Sequence, residues 1–120
     1  MNNTAYNTSY NSEYLVALSG LNEYILTTEE DIISCHSSGN YTEIHLADGR
    51  RVVVSKTLKD VAASLKTNYF VRVHHSHLIN LRHAKKFLKK DGARLLLDNG
   101  MEVLVSRSKK KDLMERIIQL

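Results

Sequence analysis

The sequence predicts a mainly β domain with one short internal helix and a C-terminal helix. Three observations predict it. Short apolar segments recur from Tyr14 onward, separated by turn signals. Three dipeptides between them, Asp48-Gly49, Asp91-Gly92 and Asn99-Gly100, supply the positive φ that tight hairpin turns need. The 120 residues contain no proline, which suits a meander of short hairpins.

The strand candidates follow in order as Tyr14–Ser19, Glu23–Thr27, Asp31–His36, Tyr41–Leu46, Arg51–Ser55, Phe70–His74, Lys85–Leu88, Ala93–Leu97 and Glu102–Val105. Two segments carry the helical period instead. Over Thr57–Lys66, Leu58, Val61, Ala62 and Leu65 share one face, and Thr57 with Asp60 forms a capping pair. Over Lys109–Leu120, Leu113, Ile117 and Leu120 form a stripe flanked by Met114 and Ile118, with Ser106 or Ser108 as the cap. Residues 1–12 are Asn, Ser, Thr and Tyr with almost no aliphatic content, and read as a disordered arm or linker remnant. Residues 13–120 are expected to form one domain.

Several classes fall away on composition. No run of about 18 apolar residues exists to span a membrane. The start, Met1-Asn2-Asn3-Thr4-Ala5, lacks the basic and apolar regions of a secretory signal. The lone Cys35 cannot form an internal disulfide, and its apolar neighbours Ile32 and Ile33 mark it as a buried structural thiol. A cytoplasmic location is expected. The net charge of +4 is unevenly spread: residues 1–70 hold 5 Lys/Arg against 8 Asp/Glu, and residues 71–120 hold 12 against 5. The C-terminal half, at +7, is built to face a polyanion.

The densest polar cluster is Arg72–His77, where strand alternation gives way to His74, His75, Ser76 and His77. Such a run is costly to bury without partners, so display at a surface is expected. A metal site could draw on His75, His77 and His83, but there are no Cys pairs and no His-Glu-x-x-His, so no metal or cofactor is expected. Catalysis lacks a nucleophile motif, a phosphate-binding glycine loop and a carboxylate pair, so no enzyme is expected. Phosphates and base edges suit the residues better. Three segments bring basic or amide groups to strand or helix ends: Ser37–Tyr41, Arg72–His77 and Val105–Lys111. Some of these residues have structural alternatives: His74 and Arg72 as packed strand residues, Tyr41 as core, Asn80 as a local cap.

The order Gly39-Asn40-Tyr41-Thr42, Asp48-Gly49-Arg50, Leu58-Lys59-Asp60, Phe70-Val71-Arg72-Val73-His74-x-Ser76-x-Leu78-Ile79-Asn80, Asn99-Gly100 and Val105-Ser106-Arg107 resembles the LytTR DNA-binding domain. The resemblance runs from about Tyr14 to Ile118. It implies an elongated arrangement of small antiparallel sheets with short helices, whose loops enter successive major grooves of duplex DNA. It also implies either the output half of a bacterial two-component response regulator or a stand-alone regulator, binding paired direct repeats and dimeric on DNA; no receiver domain lies in these 120 residues. By the resemblance, Asn40 and Tyr41 form one base-reading loop, His75 the second, and Ser106-Arg107-Ser108 the third. The family often has Arg or Lys where His75 stands, so binding here is expected to be pH-sensitive. With Lys56, Arg72, His77, Lys109 and Lys110 these residues make up the expected DNA-facing set. The competing class is a β-rich RNA-binding or protein-interaction module. RNA readers stack bases on aromatic side chains, and no aromatic pair sits at a strand centre here.

Overall fold

The computed structural model describes residues 15–120; the arm expected at 1–12 lies outside the described residues. Among the described residues, ten strands and two α-helices follow one another. The strands are β1 (Val16–Ser19), β2 (Tyr24–Thr27), β3 (Ile32–Ser38), β4 (Tyr41–Leu46), β5 (Arg51–Val54), β6 (Phe70–His74), β7 (His77–Asn80), β8 (Ala84–Leu88), β9 (Arg94–Leu97) and β10 (Glu102–Leu104). Helix α1 (Leu58–Ser64) joins β5 to β6, and α2 (Arg107–Glu115) follows β10. All pairings are antiparallel. The strands make a hairpin β1-β2, a five-stranded sheet in the order β5-β4-β3-β7-β6, and a three-stranded sheet in the order β10-β9-β8.

The five-stranded sheet is buried on both faces, by different elements. On one face Cys35, Ile44, Leu46, Val52, Val54 and Leu78 meet Leu18 of the first hairpin and Leu58 and Val61 of α1. On the other, Val71, Val73 and Ile79 meet Leu95, Leu97 and Val103 of the small sheet and Leu113 of α2. Cys35 is fully buried, and burial pushes its thiol up to about 12, as a structural cysteine requires.

Local signals set most boundaries. Thr57 caps α1, its hydroxyl accepting from the Asp60 N–H at 3.2 Å. Gly49, Gly92 and Gly100 take the positive φ their dipeptides predict. Two features differ from the pattern-based expectation. The segment after His75 is not a displayed strand end but a full strand, β7. Leu78 and Ile79 point into opposite cores, so this central strand reads as an apolar run without alternation. The C-terminal helix spans Arg107–Glu115 and not Lys109–Leu120. Of the expected stripe only Leu113 is buried; Ile118 and Leu120 are exposed, and a stripe with nothing packed on it does not sustain a helix. Arg116 caps the end and donates from its guanidinium to the carbonyls of Asn68 and Phe70.

Asn80 is the local cap its position suggests, its Oδ1 accepting from the Arg82 N–H at 2.9 Å. It also donates to the carbonyls of Ile32 at 2.9 Å and Glu29 at 3.2 Å. Buried Glu29 in turn accepts from the Lys66 and Thr67 N–H groups and the Thr67 hydroxyl. These bonds fasten the start of β3 to the segments that lead into and out of β6 and β7.

Candidate nucleic-acid interface

One edge of the five-stranded sheet gathers the expected polar segments. Ser38 pairs with Tyr41 at the β3–β4 turn. Thr42, the next residue of β4, pairs with Val54 at the end of β5 and donates its hydroxyl to the Lys56 carbonyl at 2.6 Å. His36 pairs with His77, which pairs with His74 across the β6–β7 turn. The Ser37 N–H donates to the Ser76 carbonyl at 3.0 Å, joining the two turns. The Ser106 N–H donates to the Val73 carbonyl at 2.8 Å, which sets the start of α2 beside them. Five strands at ~4.8 Å spacing make this edge about 19 Å long.

Its charge has one sign. Residues 37–41, 55–57, 72–77 and 105–111 carry Lys56, Arg72, Arg107, Lys109, Lys110 and Lys111, and no Asp or Glu. The opposite edge, around Glu29–Asp31, Ala47–Arg50 and Leu81–His83, mixes both signs. There Asp48 pairs with Arg50 at 2.7 Å and Asp98 with His83 at 2.9 Å. The positive potential is therefore concentrated on the first edge.

Each turn presents different chemistry. In the β3–β4 turn Gly39 has φ 64, as the first central residue of a tight two-residue turn requires, and Asn40 and Tyr41 stand exposed. Lys56 is exposed beside them. In the β6–β7 turn His75 is exposed, its ring 4.4 Å from that of His74. His74 faces the turn itself, its Nδ1 accepting from the Ser76 N–H at 3.1 Å. At α2, Ser106 takes the N-cap position but its side chain caps no backbone N–H; its Oγ lies 3.4 Å from the Ser108 Oγ. Arg107, Ser108 and Lys110 are exposed and Lys109 is half-buried, while the Lys110 ammonium lies 5.9 Å over the Phe87 ring. The first turn holds no acid, so its partly positive end and its basic side chains face outward together.

His77 and Arg72 behave differently. Both are half-buried and engaged within the protein. His77 Nδ1 lies 2.9 Å from His36 Nδ1, and His36 Nε2 is 2.8 Å from the Ser34 hydroxyl. Burial, reinforced by the neighbouring imidazoles, lowers His36 to about 4; burial and His74 lower His77. His45 continues the row, its ring 5.1 Å from His36 and its Nε2 2.8 Å from Glu43, and that bond is the main cause holding the Glu43 carboxyl low. Sequence reading left this row unseen, because His36, His45 and His77 come from three strands. Among the described residues no three His, Cys, Asp or Glu side chains are arranged to hold a metal ion. No helix among them is long and apolar enough to cross a membrane.

Known proteins resemble this chain in sequence and in fold. A profile of the LytTr DNA-binding domain matches residues 22–118. The chain is 33% identical over 97 residues to the heme-containing CO-sensing transcriptional regulator RcoM 1 of Paraburkholderia xenovorans, covering 78% of this chain and 36% of that protein. It is 31% identical over 75 residues to the CO-responsive transcriptional regulator RcoM of Rhodospirillum rubrum, covering 62% of this chain and 31% of that one. The chain thus spans about a third of the length of the curated relatives it matches. A solved LytTr DNA-binding domain from Bacillus cereus superposes with a TM-score of 0.75 at 20% identity, over 87% of this chain and 96% of that one.

Proposed function

Because the chain belongs to the LytTR DNA-binding domain family, a family of DNA-binding modules of transcription regulation, we propose that it reads a specific duplex sequence through its basic edge and catalyses no reaction. The observation that carries this is the convergence of segments 37–41, 55–57, 72–77 and 105–111 on one side of a rigid sheet, with six Lys/Arg and no Asp/Glu among them. Asn40 and His75, exposed at two hairpin turns, and Arg107, exposed at the start of α2, are the base readers. Lys56, Lys109 and Lys110, with the Ser106 and Ser108 hydroxyls, hold phosphates and fix register. Tyr41, 54% exposed at the start of β4, packs on the sugar–phosphate backbone beside Asn40. Paired direct repeats, each read by one copy, and a place as the output domain of a response regulator complete the proposal.

The test is selection of bound duplexes from a random pool, followed by titration of the recovered sequence against a scrambled one. Recovery of one motif, with a log-affinity against log-salt slope near −4 to −5 for about five neutralised phosphates, is the expected result. Equal binding to all duplexes, or tighter binding to single-stranded RNA, overturns it.

A further inference from the structure

We propose that Arg72 is a positioning residue: it shapes the β6–β7 turn that presents His75 and is not itself a phosphate contact. The proposal rests on the DNA-binding reading above. Arg72 is a natural candidate for phosphate, as a cation at a polar strand end. Its hydrogen bonds say otherwise. The side chain folds back over the turn, donating from Nη2 to the His75 carbonyl at 2.5 Å and from Nε towards the His74 carbonyl at 3.3 Å. Two donors of the fork are thus committed within the protein, and the charge is set against two carbonyl dipoles.

The turn needs such a tie. Only His75 and Ser76 lie between the paired residues His74 and His77. The favoured two-residue hairpin turns need positive φ at one or both central residues. Neither residue has it; among the described non-glycine residues only Asp91 does. The register also slips between Arg72 and His74, leaving Val73 as a bulge. Intrinsic backbone preference therefore does not hold this turn. Ties from outside it do: Arg72 on the His74 and His75 carbonyls, His74 Nδ1 on the Ser76 N–H, Ser37 on the Ser76 carbonyl and Ser106 on the Val73 carbonyl. Of the four, the Arg72 tie alone grips the carbonyl of the residue proposed to read a base. Holding that carbonyl fixes the peptide plane from which the His75 ring projects.

Lysine separates the two roles. It keeps the charge but is a point donor, without the planar fork that reaches two carbonyls. If Arg72 positions His75, Arg72→Lys should lower discrimination between the selected and scrambled duplexes about tenfold, with the salt slope unchanged. The loss should vanish when Arg72→Lys is made in a His75→Ala background, because the two act as one unit. Thermal unfolding by circular dichroism confirms the fold of each variant. Arg72→Met, which retains the apolar stem, replaces the lysine variant if that one does not unfold cooperatively. Wild-type discrimination retained in Arg72→Lys, or an equal loss with His75 already removed, overturns the positioning role alone. A wild type that does not discriminate between duplexes overturns the underlying DNA reading as well.

Discussion

Acid should destabilise this domain through the His36–His77 pair well before its carboxylates titrate. The two Nδ1 atoms lie 2.9 Å apart, so one ring must donate and the other accept. Protonating both leaves two donors and two positive charges face to face. The folded state resists this: burial, with the charges of His77 and His45, lowers His36 to about 4 from its ordinary 6.5, against a weaker opposing pull from Glu43. His77 is lowered in the same sense. The sign follows. The unfolded chain takes up the proton near 6.5 and the folded one near 4, so the contribution is complete above about 6.5 and drains away as pH falls towards 4. In a sealed site that gap corresponds to roughly 3 kcal/mol. The His36 ring is only half-buried, and solvent screening reduces the expected loss to about 1–2 kcal/mol, or roughly 5–10 °C in Tm for a domain of this size. The chain has no tryptophan, so urea unfolding should be followed by far-UV circular dichroism, at pH 7.5 and pH 4.5. His36→Gln, which can still bond Ser34 and His77 without titrating, should be less stable than wild type at pH 7.5 yet lose about 1 kcal/mol less on acidification. Parallel pH profiles for the two proteins would refute the reasoning.

Other outcomes follow from single side chains. Asn80→Ala should cost about 2–4 kcal/mol in urea unfolding, since it removes three hydrogen bonds, takes the amide donor from the Ile32 carbonyl and leaves the Glu29 carbonyl with the Ile32 N–H; a loss below about 1 kcal/mol would mean that water replaces the amide. Arg107→Ala should weaken binding to the selected duplex by roughly 1–3 kcal/mol and relax its preference at one base position, measured by fluorescence anisotropy against a panel of single-base variants. Lys110→Ala should weaken all duplexes alike and reduce the salt slope by about 1, because an exposed ammonium beside a helix start meets phosphate and not a base.

The hairpins, their glycine turns and the Thr57 cap were legible because each depends on residues close in sequence. Strand β7 was not, since burial on both faces replaces the alternating signal with Leu78-Ile79-Asn80. The last stretch of the expected C-terminal helix misled for the converse reason: Ile118 and Leu120 extend the apolar pattern but stand exposed, with no surface to pack on. At the candidate site, residue types and their loops were readable, but their assembly was not. That Tyr41, Lys56, His77 and Ser106 lie along one edge depends on the order β5-β4-β3-β7-β6 and on two backbone bonds between distant loops. No local pattern encodes that order; only the family resemblance pointed to it. The commitment of Arg72 to the turn carbonyls was equally hidden, because an arginine at a strand end reads the same whether it faces phosphate or folds back.

The central claim is that DNA lies along the edge formed by the β3–β4 and β6–β7 turns, the end of β5 and the start of α2. Backbone amide shifts in a ¹⁵N-labelled sample, recorded as the selected duplex is added, test this most directly. The largest changes should fall at Ser38–Tyr41, Ser55–Lys56, His74–His77 and Val105–Lys110, with Glu29–Asp31 and Ala47–Arg50 unmoved. Changes centred on that opposite edge, or on the exposed face of the β1-β2 hairpin at Tyr24 and Leu26, would contradict the account.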